Sequence, residues 1–193
     1  MSTGGRLTSG KKRTLSSRRW LERQLSDPYV AEARRQGYRS RAAFKLIEID
    51  DRFRLLRPGA RVVDLGAAPG GWTQVAARRT RAGTSGGGQI VAIDLLDMDA
   101  IEGAIVLRHD FLDDEALTLI RDALRGRSAD VVLSDMAPSA SGHRSVDHLR
   151  SMALAEAAVA FAEEILTPQG AFVAKVWQGG TESRLLATVK QAF

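Results

Sequence analysis

Hydrophobic positions in this chain alternate between short unbroken runs and stripes at helical spacing. From Ser40, Ala43, Phe44 and Ile47, with Phe53 and Leu55, recur at about every third or fourth position, and Arg57-Pro58-Gly59 stops the pattern. An apolar run at 61–65 then predicts a strand covered on both faces. Downstream the patterns predict helix near 71–81, strands near 89–93 and 104–108, helix near 114–125 and strand near 130–134. Helix near 146–166, strand near 171–177 and helix near 181–192 complete the series. Strands separated by helices imply right-handed crossovers and an α/β fold with a mostly parallel, doubly wound sheet and helices on both faces. Upstream, Trp20 to about Gln36 reads as helical, with Asp27-Pro28 marking a break or a fresh helix start.

The strand at 61–65 runs into Gly66-Ala-Ala-Pro-Gly-Gly-Trp72, a glycine-rich turn opening a helix. Gly66, Gly70 and Gly71 suggest a shelf where a ligand rests on bare backbone. A dinucleotide fingerprint would place glycine where Ala68 stands, and no Lys-Ser/Thr pair follows to make a phosphate loop. In a parallel sheet, ligands collect beyond the carboxyl ends of the strands. Those ends carry Asp64, Asp94, Asp110, Asp135 and Lys175. Single carboxylates there are often helix caps, but several at successive ends favour a shared ligand.

The chain has 193 residues, 44% of them apolar, which fits one domain with a substantial core. With no apolar run of about 18 residues and no secretory-type leader, no membrane span is expected. The lack of cysteine excludes disulfides, thiolate metal sites and cysteine nucleophiles, and a cytoplasmic location is the simplest reading. His109, His143 and His148 form no metal constellation, so no metal is expected.

The net charge of +5 conceals an asymmetry. Residues 1–61 hold 16 Lys and Arg against 6 Asp and Glu, whereas residues 62–193 hold 12 against 17. A basic segment attached to a mildly acidic body points to a polyanion partner, nucleic acid above others. We expect a disordered basic tail over 1–19, a basic helical RNA-binding lobe over 20–60, and a small-molecule-binding domain over 61–193. The glycine-rich stretch 81–88 reads as a mobile loop inserted before the second strand.

A cationic ligand suits the carboxylates better than a pyrophosphate does. S-adenosylmethionine carries a sulfonium and an amino group, and Asp94 is placed to accept its ribose hydroxyls as it would those of NAD. Asp110 can accept from an adenine amino group, with Phe111 near the ring. After Asp135, Met136-Ala137-Pro138 offers no aromatic ring to hold a planar nitrogen, so an alcohol oxygen is the expected acceptor. Its proton needs a base. Lys175, expected inside the apolar strand Phe172–Trp177, suits that role, because a buried lysine beside another cation yields its proton more readily.

Six segments together resemble the FtsJ/RrmJ (RlmE) family of ribosomal RNA 2′-O-methyltransferases over roughly residues 20–193. They are Ser40–Leu46, Val63–Trp72, Ile93–Leu96, Asp110-Phe111, Leu133–Ser139 and Phe172–Gly179. The resemblance implies a Rossmann-like S-adenosylmethionine-dependent fold and methylation of a uridine ribose in 23S rRNA of the large ribosomal subunit. It maps three members of a Lys-Asp-Lys-Glu tetrad onto Lys45, Asp135 and Lys175, with Lys175 as proton acceptor. It also implies cofactor contacts from Gly70, Trp72, Asp94, Asp110 and Asp135. The family continues with two further strands, one bearing the glutamate, and Glu182 lies too early to replace it. The expectation is a C-terminally truncated, weakly active form with an apolar edge strand through which copies could associate, and a monomer at full length. Rival readings are a 2′-O-methyltransferase for transfer RNA or an mRNA cap, and a catalytically weak RNA-binding assembly factor. Ala68 disfavours an NAD-linked oxidoreductase.

Overall fold

A computed structural model describes residues 27–138, 141–176 and 182–193. The expected tail over 1–19, the chain around Trp20, and Trp177 lie outside the described residues. Asp27-Pro28 proves to be a fresh helix start: α1 (Pro28–Arg35) has proline in its first turn, and the Asp27 carboxylate accepts from the Tyr29 amide at 2.9 Å. The amphipathic stripe forms α2 (Ala42–Phe53), which buries Ala43 and Leu46 and leaves Lys45 exposed. Arg41, just ahead of α2, forms an ion pair with Asp27.

The remaining elements are β1 (Arg61–Leu65), α3 (Gly71–Thr80), β2 (Gln89–Asp94), β3 (Ala104–Arg108) and α4 (Ala116–Ala123). They are followed by β4 (Ala129–Ser134), α5 (Arg144–Ile165), β5 (Leu166–Ala174) and α6 (Glu182–Ala192). All strand pairs are parallel, in the order β3-β2-β1-β4-β5. The expected α/β architecture is the one observed. Successive β1 residues face opposite layers: Val62 joins Leu46, Trp72 and Val75 in one core, while Val63 and Leu65 join Ile120, Phe161 and Ile165 in the other. The strand order reverses between β1 and β4, and the crevice beyond their carboxyl ends is where such sheets bind ligands.

Three expectations change. The fifth strand begins earlier, at Leu166 directly after α5, and ends at Ala174, so Lys175 stands one residue past it rather than inside it. Its amide still continues the ladder by donating to the Ser134 carbonyl at 2.8 Å. The helix expected near 114–125 is confined to Ala116–Ala123, because Arg125 adopts a positive φ and closes it. The stretch 81–88 is a folded turn, not a slack loop. Gly87 donates to Thr84 O at 2.9 Å and Gly88 to Thr80 O at 2.8 Å, and a Cβ on Gly88 would lie 2.4 Å from the Ala60 carbonyl.

Among the described residues no helix is long and apolar enough to cross a membrane, and no group of three or more His, Cys, Asp or Glu is placed to hold a metal. Leu46 is the fully buried wedge that seats α2, and with it Lys45, against β1 and α3. Leu46→Ala should therefore lower the free energy of unfolding by about 2–5 kcal/mol in a denaturant titration.

Candidate active site

A cavity of about 470 Å³ opens at the reversal point between β1 and β4. Its floor is the Gly66–Pro69 turn with Gly71 and Trp72, Asp135 lines it from β4, and the 38–42 segment and α1 overhang it. The turn is tightly built. Gly66 and Ala67 both donate to Ile93 O, Gly70 donates to Ala67 O at 2.7 Å, and the Ala68-Pro69 peptide is cis.

The glycines of this turn do not serve as expected. Gly66 and Gly70 have φ of +71° and +108°, which glycine alone adopts without penalty. The space a Cβ would need is already filled by protein: Met136 Cγ would lie 2.5 Å from one on Gly66, and Ile101 Cδ1 2.7 Å from one on Gly70. On Gly71 it would meet Ser40 Oγ at 2.2 Å. The bare backbone is a seat for the chain's own neighbouring segments, and a ligand is left with the peptide edges that face the cavity.

The acids divide by environment. Asp64 is fully buried; one carboxylate oxygen accepts from Thr73 Oγ1 at 2.6 Å, and the other, Oδ1, has no hydrogen-bond partner. Burial is the main cause that raises its pKa from the ordinary 3.8 to about 7; Asp135 and Asp94 push it further in the same direction, against the Thr73 hydrogen bond. The carboxylates closing β1, β2 and β4 therefore lie within one another's field. Asp94 takes one backbone N–H on each oxygen, from Ala68 at 2.9 Å and Leu96 at 2.8 Å, which fixes it while leaving further lone pairs. Asp110 accepts from the Leu112 amide at 2.9 Å. Phe111 meets Phe161 edge-on, centroids 5.3 Å apart, and packs half-buried against the core.

Asp135 and Lys175 meet. Lys175 Nζ lies 2.5 Å from Asp135 Oδ1 and donates to the Asp135 carbonyl at 2.9 Å, with both side chains about three-quarters covered. Lys45 stays exposed and makes no ion pair or side-chain hydrogen bond among the described residues, so of the expected triad Asp135 and Lys175 are paired and Lys45 is not. Trp72 is also placed differently. Its ring is buried in the core and its Nε1–H donates to Ala42 O at 2.8 Å, so only its backbone side remains for a ligand.

Sequence reasoning missed Thr73, Gln74 and Arg39. Thr73 follows the glycine turn at the one helical position that can face Asp64, a signal present in the sequence. Arg39 and Gln74 carry no such signal, because their partners are distant in the chain.

The profile of the FtsJ-like methyltransferase family matches residues 38–193, which include the glycine turn, the strand-end carboxylates, Lys45 and Lys175. The chain belongs to that family. It is 60% identical over 186 residues to a Rhodospirillum rubrum protein named ribosomal RNA large subunit methyltransferase E, covering 96% of this chain and 70% of that one. Identity is 58% to the Paramagnetospirillum magneticum protein of the same name, with 97% of this chain and 77% of the relative covered. Among solved structures, one described as a ribosomal RNA methyltransferase from Plasmodium falciparum superposes with a TM-score of 0.73 at 29% identity, over 80% of this chain and 86% of that one. The FtsJ-like chain thus has the parallel methyltransferase fold that its strand order shows.

A raised carboxyl pKa makes a folded protein lose stability as pH climbs, since the native state holds a proton the unfolded chain has released. The Asp64 contribution is full below about pH 4 and lost as pH rises through about 7. Asp64→Asn keeps an acceptor for Thr73 and cannot titrate. Unfolding titrations across pH 4–7 should show the wild type's downward slope, at most about 1.4 kcal/mol per pH unit, flattened in the variant.

Proposed function

We propose that this chain transfers a methyl group from S-adenosylmethionine to the 2′-hydroxyl of a uridine ribose in 23S rRNA, on the large ribosomal subunit. The observation that carries this reading is the Lys175–Asp135 pair, whose carboxylate residue lines the cavity at the point where the strand order reverses. The names of the relatives, which are large-subunit ribosomal RNA methyltransferases, supply the substrate class.

The residues present fit the cofactor. Asp64 keeps a buried oxygen without a partner, and Asp64, Asp94 and Asp135 share a field that a positively charged ligand relieves. In this reading Asp94 accepts the ribose hydroxyls with its unused lone pairs, Asp110 accepts the adenine amino group, and Asp135 faces the amino-acid end. Gly70 and Trp72 contribute through backbone, as their side-chain positions are taken by the protein itself. When bound, S-adenosylmethionine supplies an electrophilic methyl group on a sulfonium.

The residues of the cavity would hold the ribose oxygen and the methyl donor in line, which would provide most of the rate. Lys175 would take the 2′-hydroxyl proton, and the bound cofactor would supply the methyl group that the oxygen receives. Asp135 aims the Lys175 amine through two contacts, one from its carboxylate and one from its carbonyl. Lys45 on α2 and Arg34 at the cavity are exposed and would hold RNA phosphates, with Arg41, paired with Asp27, beside them, and the basic residues 1–60 would extend that grip.

Lys175→Ala should retain cofactor affinity in calorimetry and lose about 100-fold or more in methyl transfer to large subunits lacking the mark. Undiminished transfer removes Lys175 as the base, and label entering only transfer RNA overturns the choice of substrate.

A further inference from the structure

One side chain bridges the RNA-facing and cofactor-facing parts of the molecule. Arg39 lies in the connection between α1 and α2, outside both helices. Its guanidinium reaches across the turn to donate to Asp99 O at 2.7 Å and Ala100 O at 2.8 Å, with a longer bond to Pro69 O at 3.4 Å. Asp99 and Ala100 belong to the irregular segment between Asp94 and β3, which leads directly out of the carboxylate assigned above to the cofactor ribose. Gly70 lies beneath this bridge. A Cβ there would meet Arg39 Nη1 at 3.0 Å as well as Ile101 and Met98.

The connection is gripped from α3 too. The Gln74 amide receives the Arg39 N–H on its oxygen at 2.8 Å and donates to the Gly37 carbonyl at 3.0 Å, pairing with the backbone as a strand would. Arg78 lies over the Tyr38 ring at 4.6 Å, and Ser40 rests on Gly71. Gly37 and Tyr38 donate to the Arg34 and Ala33 carbonyls that end α1, and beyond them residues 39–40 are held by the cofactor turn, its helix, and the 99–100 carbonyls. The same residues lead straight into Arg41 and Lys45.

We infer that Arg39 is a positioning residue that couples the two binding sites, so that filling the cofactor pocket tightens the hold on RNA. The inference rests on the proposed function. A ligand held by Asp94 restrains the segment that follows it. The carbonyls of that segment restrain Arg39, and a fixed Arg39 holds the α1–α2 connection, and with it the basic residues Arg34, Arg35 and Arg41 that flank it, in one arrangement, with less ordering left to be done when RNA arrives. Linkage requires the reverse effect to be equal: RNA must tighten cofactor binding by the same factor.

The test measures binding of the full chain to large ribosomal subunits lacking the methyl mark, with and without saturating S-adenosylhomocysteine. Wild type should bind about tenfold tighter with the cofactor product present, within the usual range for coupled sites. Arg39→Lys keeps the charge but cannot donate to both carbonyls from one rigid fork. It should bind bare subunits within about twofold of wild type while the cofactor-dependent gain falls to near one. Arg39→Ala should lose the gain as well, with thermal melting confirming that both variants fold. A merely structural role would weaken both affinities and leave their ratio intact. The inference is overturned by a wild-type ratio of one, or by a wild-type ratio in Arg39→Lys. Wild-type protein that binds neither ligand sinks the proposed function and this coupling together, whereas normal binding of both with no change on substitution removes the coupling alone.

Discussion

The close approach of three chain segments at Gly66, Gly70 and Gly71 is the constraint from which the site follows. Met136 from the end of β4, the 98–101 segment after β2, and Ser40 ahead of α2 each occupy the place a Cβ would need. Any side chain at these positions would push one of them outward, because close-packed interiors do not absorb a methyl group without displacement. The turn is therefore less a shelf for a ligand than a hub on which the ligand's surroundings are assembled. The cavity is what remains between parts that touch through glycine.

On that hub the electrostatics are deliberately unbalanced. A fully buried carboxyl with one unpartnered oxygen lies in the field of two others, and the Lys175 ammonium is committed to Asp135. Buried polar atoms without partners are rare in folded proteins, and they concentrate where function requires them. The unmet demand is for positive charge and hydrogen-bond donors, which a sulfonium bearing an ammonium satisfies and a pyrophosphate does not. Asp94, fixed by two backbone amides, shows the complementary design, in which the acceptor is rigid before any ligand arrives.

The exposed Lys45 and the covered Lys175 illustrate two ways of placing a cation. Lys175 is held by the end of the β4–β5 ladder and by both polar groups of Asp135, so its amine has one direction. Lys45 is oriented through its helix, which the packing of Ala43 and Leu46, the Trp72–Ala42 hydrogen bond and the Arg79–Asp51 pair hold, and its ammonium remains in solvent. A group that must take a proton from one oxygen needs the first arrangement, while one that meets a flexible phosphate backbone is better served by the second.

The alternation of apolar runs and helical stripes sufficed for the strands, their parallel order and the carboxylates at their ends, because these depend on local periodicity and on the handedness of crossovers. Val62, Val63 and Leu65 announce a doubly covered strand, and Asp64, Asp94 and Asp135 fall at strand ends wherever the boundaries are drawn within a residue. Lys175 was legible as a chemical group but not as a position, since the end of β5 is decided by the ladder it shares with β4. Trp72 and Phe111 read as ligand contacts and became core, because a large ring beside a cavity is drawn to whichever apolar surface covers more of it. Gly70 and Gly71 were read as bare backbone, but what lies over them comes from residues some 30 positions away. Residue type and spacing alone determined which groups this chain possesses and the sheet that carries them. Which of those groups face the cavity, and which are used to hold the chain to itself, only the tertiary structure decided, because Arg39, Met136 and Ile101 find their partners through space and not along the sequence.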